Sequence, residues 1–407
     1  MQQIQKRKMA GTGDELSILG FGCMRFKRNL AATDMARTTQ QVRLAIDAGV
    51  NYFDTAFMYP GNEKAIGTIL AGTDEQGRRL RDRVFLATKL PLLLIKSRED
   101  MDRFLNTSLE RLGMDYIDYY LVHNIGSIES WERGKKLGII EFLDKAKADG
   151  KIGHVGFSWH GSLLNFRKVI DDYDWKYCQI QYNYLDENFQ AGTEGLKYAA
   201  AKGVGVIVME PLRGGTIVGK MPGDAKRIIE GYRDASGQTH SAAYWGLRWV
   251  WNHPEVTCVL SGMNDISQVE ENTQTALDAS PGSLTEADLA MIEQVKGVFE
   301  RTIRINCTGC AYCMPCPFGV DIPFCLSSLN SNAMFHEISG KFMYNFGLRA
   351  VGDKPTGKAS ACRKCGVCET KCPQGLPIMK TLEETAKTME NPLYNAVVGL
   401  SSLFLRG

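Results

Sequence analysis

The sequence has almost no excess of positive or negative charge, no long apolar segment, and no pattern typical of a secretory signal in its first residues. Lys and Arg number 48 against 46 Asp and Glu, a net charge of +2, so no strongly basic surface for nucleic acid is indicated. No segment offers ~18 uninterrupted apolar residues, so a transmembrane segment is not expected. The first residues, MQQIQKRKMAG, are basic and no apolar stretch follows them, which predicts a cytoplasmic protein without a secretory signal.

Internal repeats, low-complexity tracts and a flavin-binding fingerprint are also missing. At 407 residues the chain is longer than one average domain. A barrel of about 250–300 residues can nevertheless form a single domain. With 44% hydrophobic residues the chain can bury a large core.

What the sequence does contain is cysteine in two tight runs near its C-terminal end. Thiolates spaced in this way can turn toward one centre, and four of them saturate a cubane iron–sulfur cluster. The pattern therefore predicts two 4Fe-4S clusters and one-electron transfer. The runs read Cys307-x2-Cys310-x2-Cys313-x2-Cys316-Pro317 and Cys362-x2-Cys365-x2-Cys368-x3-Cys372-Pro373.

Disulfides and structural zinc are the alternatives for these cysteines. Disulfides are rare in cytosolic proteins, and four-cysteine zinc sites usually pair two C-x2-C units across a spacer. In two-cluster ferredoxins the last cysteine of each run serves the other cluster, so Cys372 would complete the first set and Cys316 the second. The x2 spacing before Cys316, where x3 is usual, leaves its role as a ligand open. The isolated cysteines are interpreted as small apolar residues: Cys23, Cys178, Cys258 and Cys325.

Short β-branched, apolar runs alternate with amphipathic helical patterns over the first 300 residues. Eight strands, each followed by a helix, predict a (β/α)8 TIM barrel, an α/β fold, although a doubly wound sheet is not excluded. Helices are expected over Thr38–Ala48, Met101–Leu112, Trp131–Ala148 and Thr239–Trp251. The strand candidates are Ser17–Gly20, Asn51–Thr55, Val84–Lys89, Ile117–His123, Ile152–Ser158, Tyr177–Asn183, Val204–Glu210 and Val256–Gly262.

After Phe299 the composition changes, because cysteine, proline and glycine become dense and no further βα unit follows. We expect a barrel over residues 1–300 and a mainly helical, ferredoxin-like iron–sulfur domain over 301–385. Ile322–Ser331 and Asn332–Gly347 are its helical stretches. Residues 386–407 form a fairly apolar tail that is expected to dock on the protein, with membrane-surface or partner contact as the alternative.

Four polar residues fall at or just after the ends of three successive predicted strands. They are Asp54, Tyr59, Lys89 and His123, and in such a barrel reactive groups lie at the C-terminal ends of the strands. A tyrosine with a free pKa near ~10 is a weak acid at neutral pH unless a cation stabilises its anion. Lys89, held by Asp54, can supply that charge, while His123 would bind a substrate oxygen or Tyr59. The group would protonate an alkoxide as hydride reaches a carbonyl carbon. Singly, each residue could instead be a strand-end cap, a structural histidine or a cover for the barrel mouth.

Residues 1–300 resemble the aldo-keto reductases, and with the cysteine runs nearly the whole chain resembles their iron–sulfur branch. The resemblance implies a TIM barrel, a nicotinamide dinucleotide bound without a Rossmann glycine loop, and a catalytic tetrad at Asp54, Tyr59, Lys89 and His123. The motifs that carry it are LGFGCMR (19–25), NYFDTAFMY (51–59), ATK (87–89), LVHN (121–124), GFS (156–158), QIQYN (179–183), PLRGG (211–215) and SGMNDISQVEEN (261–272).

The same resemblance implies where the dinucleotide, NAD(H) or NADP(H), is held. Ser158 and Gln179 would hold the carboxamide, and Leu212 and Gly214 would lie by the pyrophosphate. The segment from Gly262 to Asn272, including Gln268, would hold the adenosine end.

Three departures from the family pattern bear on the cofactor. Trp159 follows the strand-five serine, where many members have Asn, and Met209 gives a weaker platform for the nicotinamide than an aromatic ring. Gly262 and Gln268 stand where members that prefer NADP often have a cation, and a 2′-phosphate favours a cation. The sequence therefore slightly favours NADH, or else a weakly held nucleotide. Arg213 is interpreted either as a further source of charge or as a surface cap.

Three hypotheses join the two halves of the chain. In the first, the barrel oxidises or reduces a small-molecule carbonyl or alcohol with NAD(P)(H), and the clusters exchange electrons with a redox partner protein or are structural. In the second, the barrel holds a flavin or a one-electron substrate fed by the clusters. In the third, the protein is an electron-relay or redox-sensing module. The complete tetrad favours the first hypothesis, and Met209 keeps the second open.

Overall fold

The computed structural model describes residues 3–29, 32–307, 309, 312–335, 340–341, 344–345, 357–372 and 375–390. The described part of the chain contains short β-strands of two to nine residues. They are β1 (Lys6–Lys8), β2 (Glu15–Ser17), β3 (Leu19–Gly22), β4 (Arg28–Asn29), β5 (Ala32–Thr33), β6 (Tyr52–Asp54), β7 (Phe85–Leu90), β8 (Ile117–Ile125), β9 (Ile152–Trp159), β10 (Tyr177–Gln181), β11 (Gly205–Met209) and β12 (Val256–Ser261).

Helices follow the barrel strands and then dominate the described C-terminal part. They are α1 (Met35–Asp47), α2 (Asn62–Leu70), α3 (Arg98–Leu112), α4 (Ile128–Lys136), α5 (Ile139–Ala148), α6 (Leu163–Asp171), α7 (Gly192–Ala201), α8 (Thr216–Gly219), α9 (Gly223–Gly231), α10 (Ala242–Trp251), α11 (Ile266–Thr275), α12 (Glu286–Glu300), α13 (Ile322–Phe335), α14 (Val367–Lys371) and α15 (Ile378–Met389).

Eight parallel strands, β3 and β6 to β12, close into a barrel in the order β10-β11-β12-β3-β6-β7-β8-β9. All eight predicted strands are present, so the TIM barrel is confirmed and the open sheet is not found. The observed boundaries differ from the expected ones by a few residues, as for the strand expected over Tyr177–Asn183, which ends at Gln181. In such a barrel the C-terminal strand ends share one rim, where binding and catalytic residues are found.

The barrel interior is filled by aromatic and aliphatic side chains. The ring of Tyr119 lies 5.3 Å from that of Tyr52 and 5.0 Å from that of Tyr177, all three fully buried. Below them, Met9 and Leu16 from the β1–β2 hairpin join the same cluster. The hairpin was not predicted from the sequence, because strands of three residues are too short to show an alternation of apolar and polar residues.

One expected helix is divided in two. The segment expected to be helical over Trp131–Ala148 contains α4 and α5, separated at Gly138, which adopts a left-handed φ of 81° and begins the second helix. A left-handed residue interrupts a right-handed helix, and glycine adopts it without a steric cost. α3 ends in the expected way, at Gly113 with φ 65°.

The described part of the C-terminal segment is helical, as expected, with its own apolar core around Ile322, Leu326 and Leu382. Helix α13 also contacts the barrel, since the ring of Phe335 lies 5.7 Å from that of Phe299 on α12. Residues 332–335, 340–341 and 344–345 of the helix expected over Asn332–Gly347 are helical, and its other residues lie outside the described part of the chain. The tail expected over 386–407 is described only as far as residue 390, with α15 ending at Met389. Within the described residues, no helix has the length and apolarity needed to cross a bilayer.

Candidate active site and cysteine-lined cavity

The four rim residues predicted from the sequence come from neighbouring parallel strands. Asp54 is the last residue of β6, Lys89 lies in β7 and His123 in β8, while Tyr59 stands in the loop before α2. Because β6 pairs with β7 and β7 with β8 in parallel, the carboxyl ends of the three strands lie side by side. The structure therefore brings all four side chains to one cleft.

Lys89 and Asp54 form a buried ion pair. Lys89 Nζ donates to Asp54 Oδ2 at 2.5 Å and to the carbonyl oxygen of Thr55 at 2.8 Å. Burial lowers the pKa of Lys89, but attraction to Asp54 and Tyr59 outweighs burial and the pKa is raised overall. Burial raises the pKa of Asp54, an effect that Lys89 opposes. The ammonium thus stays charged beneath Tyr59.

Tyr59 is half-buried, and its ring centroid lies 5.1 Å from Lys89 Nζ. Burial raises the pKa of the phenol above its usual 10, although the Lys89 charge acts in the opposite direction. At neutral pH the phenol therefore keeps its proton. Lys89 stabilises the anion formed when that proton leaves, so Tyr59 is arranged as a proton donor.

His123 faces Tyr59, with ring centroids 5.9 Å apart and planes nearly perpendicular. Burial, followed by repulsion from Lys89 and His160, keeps the pKa of His123 well below its usual 6.5. The imidazole is therefore neutral at physiological pH. Its buried Nδ1 has no hydrogen-bond partner among the described residues, which leaves it able to bond a ligand.

Ser158 and Gln179 lie side by side on β9 and β10, as a carboxamide site requires. Ser158 Oγ accepts a hydrogen bond from the backbone N–H of Asn124 at 2.8 Å. Gln179 Nε2 contacts Met209 Sδ at 3.5 Å, while Gln179 Oε1 is buried with no partner among the described residues. A buried acceptor without a donor is costly unless a ligand satisfies it, and an amide N–H₂ would do so. The pair therefore fits a nicotinamide carboxamide.

The residues expected near the adenosine end are held by one another. Gln268 Oε1 accepts from the backbone N–H of Asn264 at 2.9 Å, and Asn272 Nδ2 donates to Ser261 Oγ at 3.0 Å. Asp265 begins α11 and forms an ion pair with Arg37 of α1. Both amides thus order the segment after β12, and a carboxylate stands at the start of its helix.

Leu212 and Gly214 lie in a tight turn after β11, in which Gly214 has a φ of 66°. A side chain on Gly214 would meet Arg25, because an added Cβ would lie 2.9 Å from Arg25 Nη2. A Cβ on Gly262 would lie 3.1 Å from Arg25 Cγ. Arg25 belongs to the LGFGCMR motif, but its contact with these two glycines could not be predicted, because the three residues are far apart in the sequence.

Arg213, interpreted from the sequence as a free cation or a surface cap, is held between the barrel and α13. Its Nε donates to Asp186 Oδ2 at 3.1 Å and its Nη2 to Ser331 Oγ at 3.1 Å, with the guanidinium 5.1 Å from the Phe335 ring centroid. The side chain is 14% exposed. Arg213 therefore ties the loop after β11 to the cysteine-containing segment.

The two cysteine runs begin with loops of the same build. The backbone N–H of Gly309 donates to Cys307 Sγ at 3.4 Å, and that of Lys364 donates to Cys362 Sγ at 3.4 Å. Both donors have left-handed φ angles, 66° and 54°. Hydrogen bonds of this kind to ligand sulfurs stabilise iron–sulfur clusters and tune their potentials.

A cavity between the two runs is lined by five cysteines. Cys316 of the first run stands there with Cys362, Cys365 and Cys368 of the second, and Cys313 shares the wall. Among the described residues, no group of three or more His, Cys, Asp and Glu side chains is arranged to hold a single metal ion. The cavity therefore groups Cys316 with three cysteines of the second run, which is the set that the pattern of two-cluster ferredoxins predicts for one cluster.

The remaining candidate ligands are placed as follows. Cys307 and Cys372 lie at the edge of the same apolar core, and Cys310 lies outside the described residues. The isolated cysteines pack as apolar residues, and burial raises the pKa of each of these thiols: Cys23, Cys178, Cys258 and Cys325.

Comparison with known proteins agrees with this geometry. L-galactose dehydrogenase of Arabidopsis thaliana is 26% identical over 313 residues, which cover 72% of this chain and 95% of that protein. L-glyceraldehyde 3-phosphate reductase of Escherichia coli K12 is 26% identical over 334 residues, 72% of this chain and 92% of that protein. The holo form of aldo-keto reductase AKR11C1 from Bacillus halodurans superposes with a TM-score of 0.58 at 25% identity, covering 72% of this chain and 96% of its own.

Family matches divide the chain at the point where its composition changes. Residues 306–376 match the 4Fe-4S dicluster domain. Residues 18–296 match the aldo/keto reductase family. With a closed parallel barrel and these relatives, the chain is an oxidoreductase that belongs to the aldo/keto reductase family and carries a C-terminal 4Fe-4S dicluster domain.

Proposed function

We propose that this enzyme interconverts a small-molecule carbonyl and its alcohol with a nicotinamide dinucleotide, and that Tyr59 is the proton donor. The observation that carries the proposal is the buried pair of Lys89 and Asp54 beneath the Tyr59 phenol. That arrangement matches the demand of carbonyl reduction, in which an alkoxide forms and takes up a proton.

Each residue of the cleft has a distinct task in the proposed reaction. A bound dinucleotide supplies hydride to the carbonyl carbon. Tyr59 gives its proton to the carbonyl oxygen, and Lys89, kept charged by Asp54, stabilises the phenolate that remains. Neutral His123 bonds the same oxygen and orients it. Reversal of these steps oxidises the alcohol.

The dinucleotide is proposed to bind along the rim from β9 to α11. Ser158 and Gln179 hold the carboxamide, Leu212 and Gly214 lie at the pyrophosphate, and the segment from Gly262 through Gln268 to Asn272 holds the adenosine end. NADH is favoured over NADPH because Gly262 and Gln268 stand where a cation would bind a 2′-phosphate, and the nearby Arg37 is already paired with Asp265.

For the C-terminal part we propose two 4Fe-4S clusters that exchange single electrons with a redox partner protein. Cys307, Cys310, Cys313 and Cys372 would hold one cluster. Cys362, Cys365, Cys368 and Cys316 would hold the other, an assignment supported by the cavity that those four cysteines line. We place the barrel at 1–300, the cluster domain at 301–385 and a docking tail at 386–407, in a cytoplasmic enzyme.

The test compares Tyr59→Phe with Tyr116→Phe in anaerobically purified, cluster-loaded protein. Reduction of a panel of aldehydes and ketones by NADH and NADPH is followed at 25 °C. Tyr59→Phe should lower kcat by about 10²–10⁴-fold, because it removes the phenolic hydroxyl that donates the proton and keeps the ring. Tyr116 is an exposed tyrosine at the start of β8, so Tyr116→Phe should leave the rate unchanged.

Unaltered turnover in Tyr59→Phe would show that another group donates the proton. Flavin released from the denatured wild-type protein, together with turnover that needs no nicotinamide dinucleotide, would contradict the proposed cofactor.

A further inference from the structure

Arg25 is an exposed cation on the rim of the barrel, immediately after the first barrel strand. It ends the short 3-10 turn Cys23–Arg25 that follows β3. The same rim carries the Lys89 and Tyr59 cleft, since β3 pairs with β6. Its position thus brings a guanidinium to the side of the barrel where the loops after β11 and β12 meet.

The Arg25 side chain lies along two glycines from these distant loops. Its stem passes Gly262, where an added Cβ would lie 3.1 Å from Cγ and 3.2 Å from Cβ and Cδ. Its head reaches Gly214, where an added Cβ would lie 2.9 Å from Nη2. A side chain at Gly262 would crowd the stem of Arg25, and one at Gly214 would meet the movable end of its guanidinium, so both glycines border the path of the arginine.

Among the arginines near the loops after β11 and β12, Arg25 differs from Arg213 and Arg37 in having no anionic partner among the described residues. Arg213 is bonded to Asp186 and Ser331, and Arg37 is paired with Asp265. Across the described part of the chain, Arg25 forms neither an ion pair nor a hydrogen bond through its guanidinium. Its charge therefore remains available for an incoming anion.

We propose that Arg25 binds the pyrophosphate of the nicotinamide dinucleotide, an inference that depends on the proposed function. The guanidinium head, not the stem, lies at Gly214, beside which the pyrophosphate is proposed to lie. A planar guanidinium bonds two phosphate oxygens at once, which a single ammonium cannot do. Arg25 thus supplies a phosphate-binding charge at the pyrophosphate that NADH and NADPH share.

The test measures dinucleotide affinity directly, without turnover. NADH and NADPH are titrated by calorimetry into the cluster-loaded wild type, Arg25→Gln, Arg25→Lys and the control Lys27→Gln. Lys27 is an exposed cation two residues further along the same loop. Arg25→Gln should raise the Kd of both dinucleotides by the same factor, about 10- to 100-fold, as expected for a lost charge-assisted pair. Arg25→Lys should recover part of that loss, and Lys27→Gln should match the wild type.

Salt dependence and substrate kinetics separate the other anions that a guanidinium could bind. Added salt should weaken NADH binding to the wild type more steeply than to Arg25→Gln. If Arg25→Gln weakened the binding of NADPH alone, Arg25 would lie at a 2′-phosphate. If it raised the KM for glyoxylate and left NADH affinity unchanged, Arg25 would bind a substrate carboxylate. Either result, or equal affinity in all variants, would overturn the inference. If the wild type bound neither dinucleotide, the proposed function would fail as well.

Discussion

The Nζ of Lys89 lies 2.5 Å from Oδ2 of Asp54, and the two residues are only 1% and 3% exposed. Neither group can exchange its partner for water. Since a buried charge without a partner is strongly destabilising, each residue is needed to keep the other in place. The same contact therefore serves both the stability of the barrel and the acidity of Tyr59.

Breaking this pair should cost far more stability than breaking a surface pair. We expect Lys89→Met to lower the free energy of unfolding by about 3–5 kcal/mol, because it leaves Asp54 buried and unpaired. The control is Arg79→Met, whose partner Asp82 is 55% exposed and whose own side chain is 70% exposed, so that its loss should barely change the free energy of unfolding. Urea denaturation measures both.

The double variant Asp54→Asn/Lys89→Met provides the internal check on that cost. It should lose clearly less stability than the sum of the two single variants, because neither charge is then left alone. Strict additivity would contradict a coupled ion pair.

The pH dependence of carbonyl reduction should show no limb near neutrality. The proposed reduction needs protonated Tyr59, and that form is lost only as pH rises through its raised pKa, above the usual 10. It also needs neutral His123, which is lost only as pH falls through a pKa well below 6.5. Initial rates at saturating dinucleotide should therefore be level between these limits. An acidic limb centred near 6.5 in the wild type and missing in His123→Asn would contradict this expectation.

Cys316 should be needed for one cluster only. Two cubanes require about eight iron atoms in each chain, so Cys316→Ser should lose about four of them while the barrel is left unchanged. Cys325→Ser is the matched control, because Cys325 is buried in the same segment but bonded to Tyr344 and Gly357 instead of lining the cavity. Iron and sulfide analysis under anaerobic conditions gives the counts.

Full iron content in Cys316→Ser would remove Cys316 from the ligand set and reopen the question raised by its x2 spacing.

Arg213 should stabilise the contact between the barrel and α13, because it bonds residues on both sides of it. Arg213→Met removes the bonds to Asp186 and Ser331 and should cost about 1–3 kcal/mol of stability, while Ser331→Ala should cost less, about 0.5–1.5 kcal/mol. Limited proteolysis should cut the Arg213→Met protein faster near residue 300. A changed ratio of NADH to NADPH affinity, with unchanged stability, would instead support the earlier interpretation of Arg213 as a cofactor-binding cation.

Local patterns in the sequence predicted most of the fold and the residues at the strand ends that form the candidate active site. Apolar runs separated by amphipathic segments predicted the eight strands, and Gly113 marked the end of α3, because both depend on near neighbours. The split at Gly138 was missed since the apolar pattern continues across it. The β1–β2 hairpin was missed because its strands are too short for a period.

The sequence by itself predicted the eight strands, the convergence of Asp54, Lys89 and His123 on one rim, and the two cysteine runs with Cys316 completing the second set. These follow from position at strand ends and from spacing. Only the tertiary structure decided that the eight-stranded sheet closes, that Arg213 is held by α13, and that Arg25 lies against Gly214 and Gly262. Such contacts join segments far apart in the chain, and they exist only once the barrel closes and the C-terminal segment packs, so no local pattern encodes them.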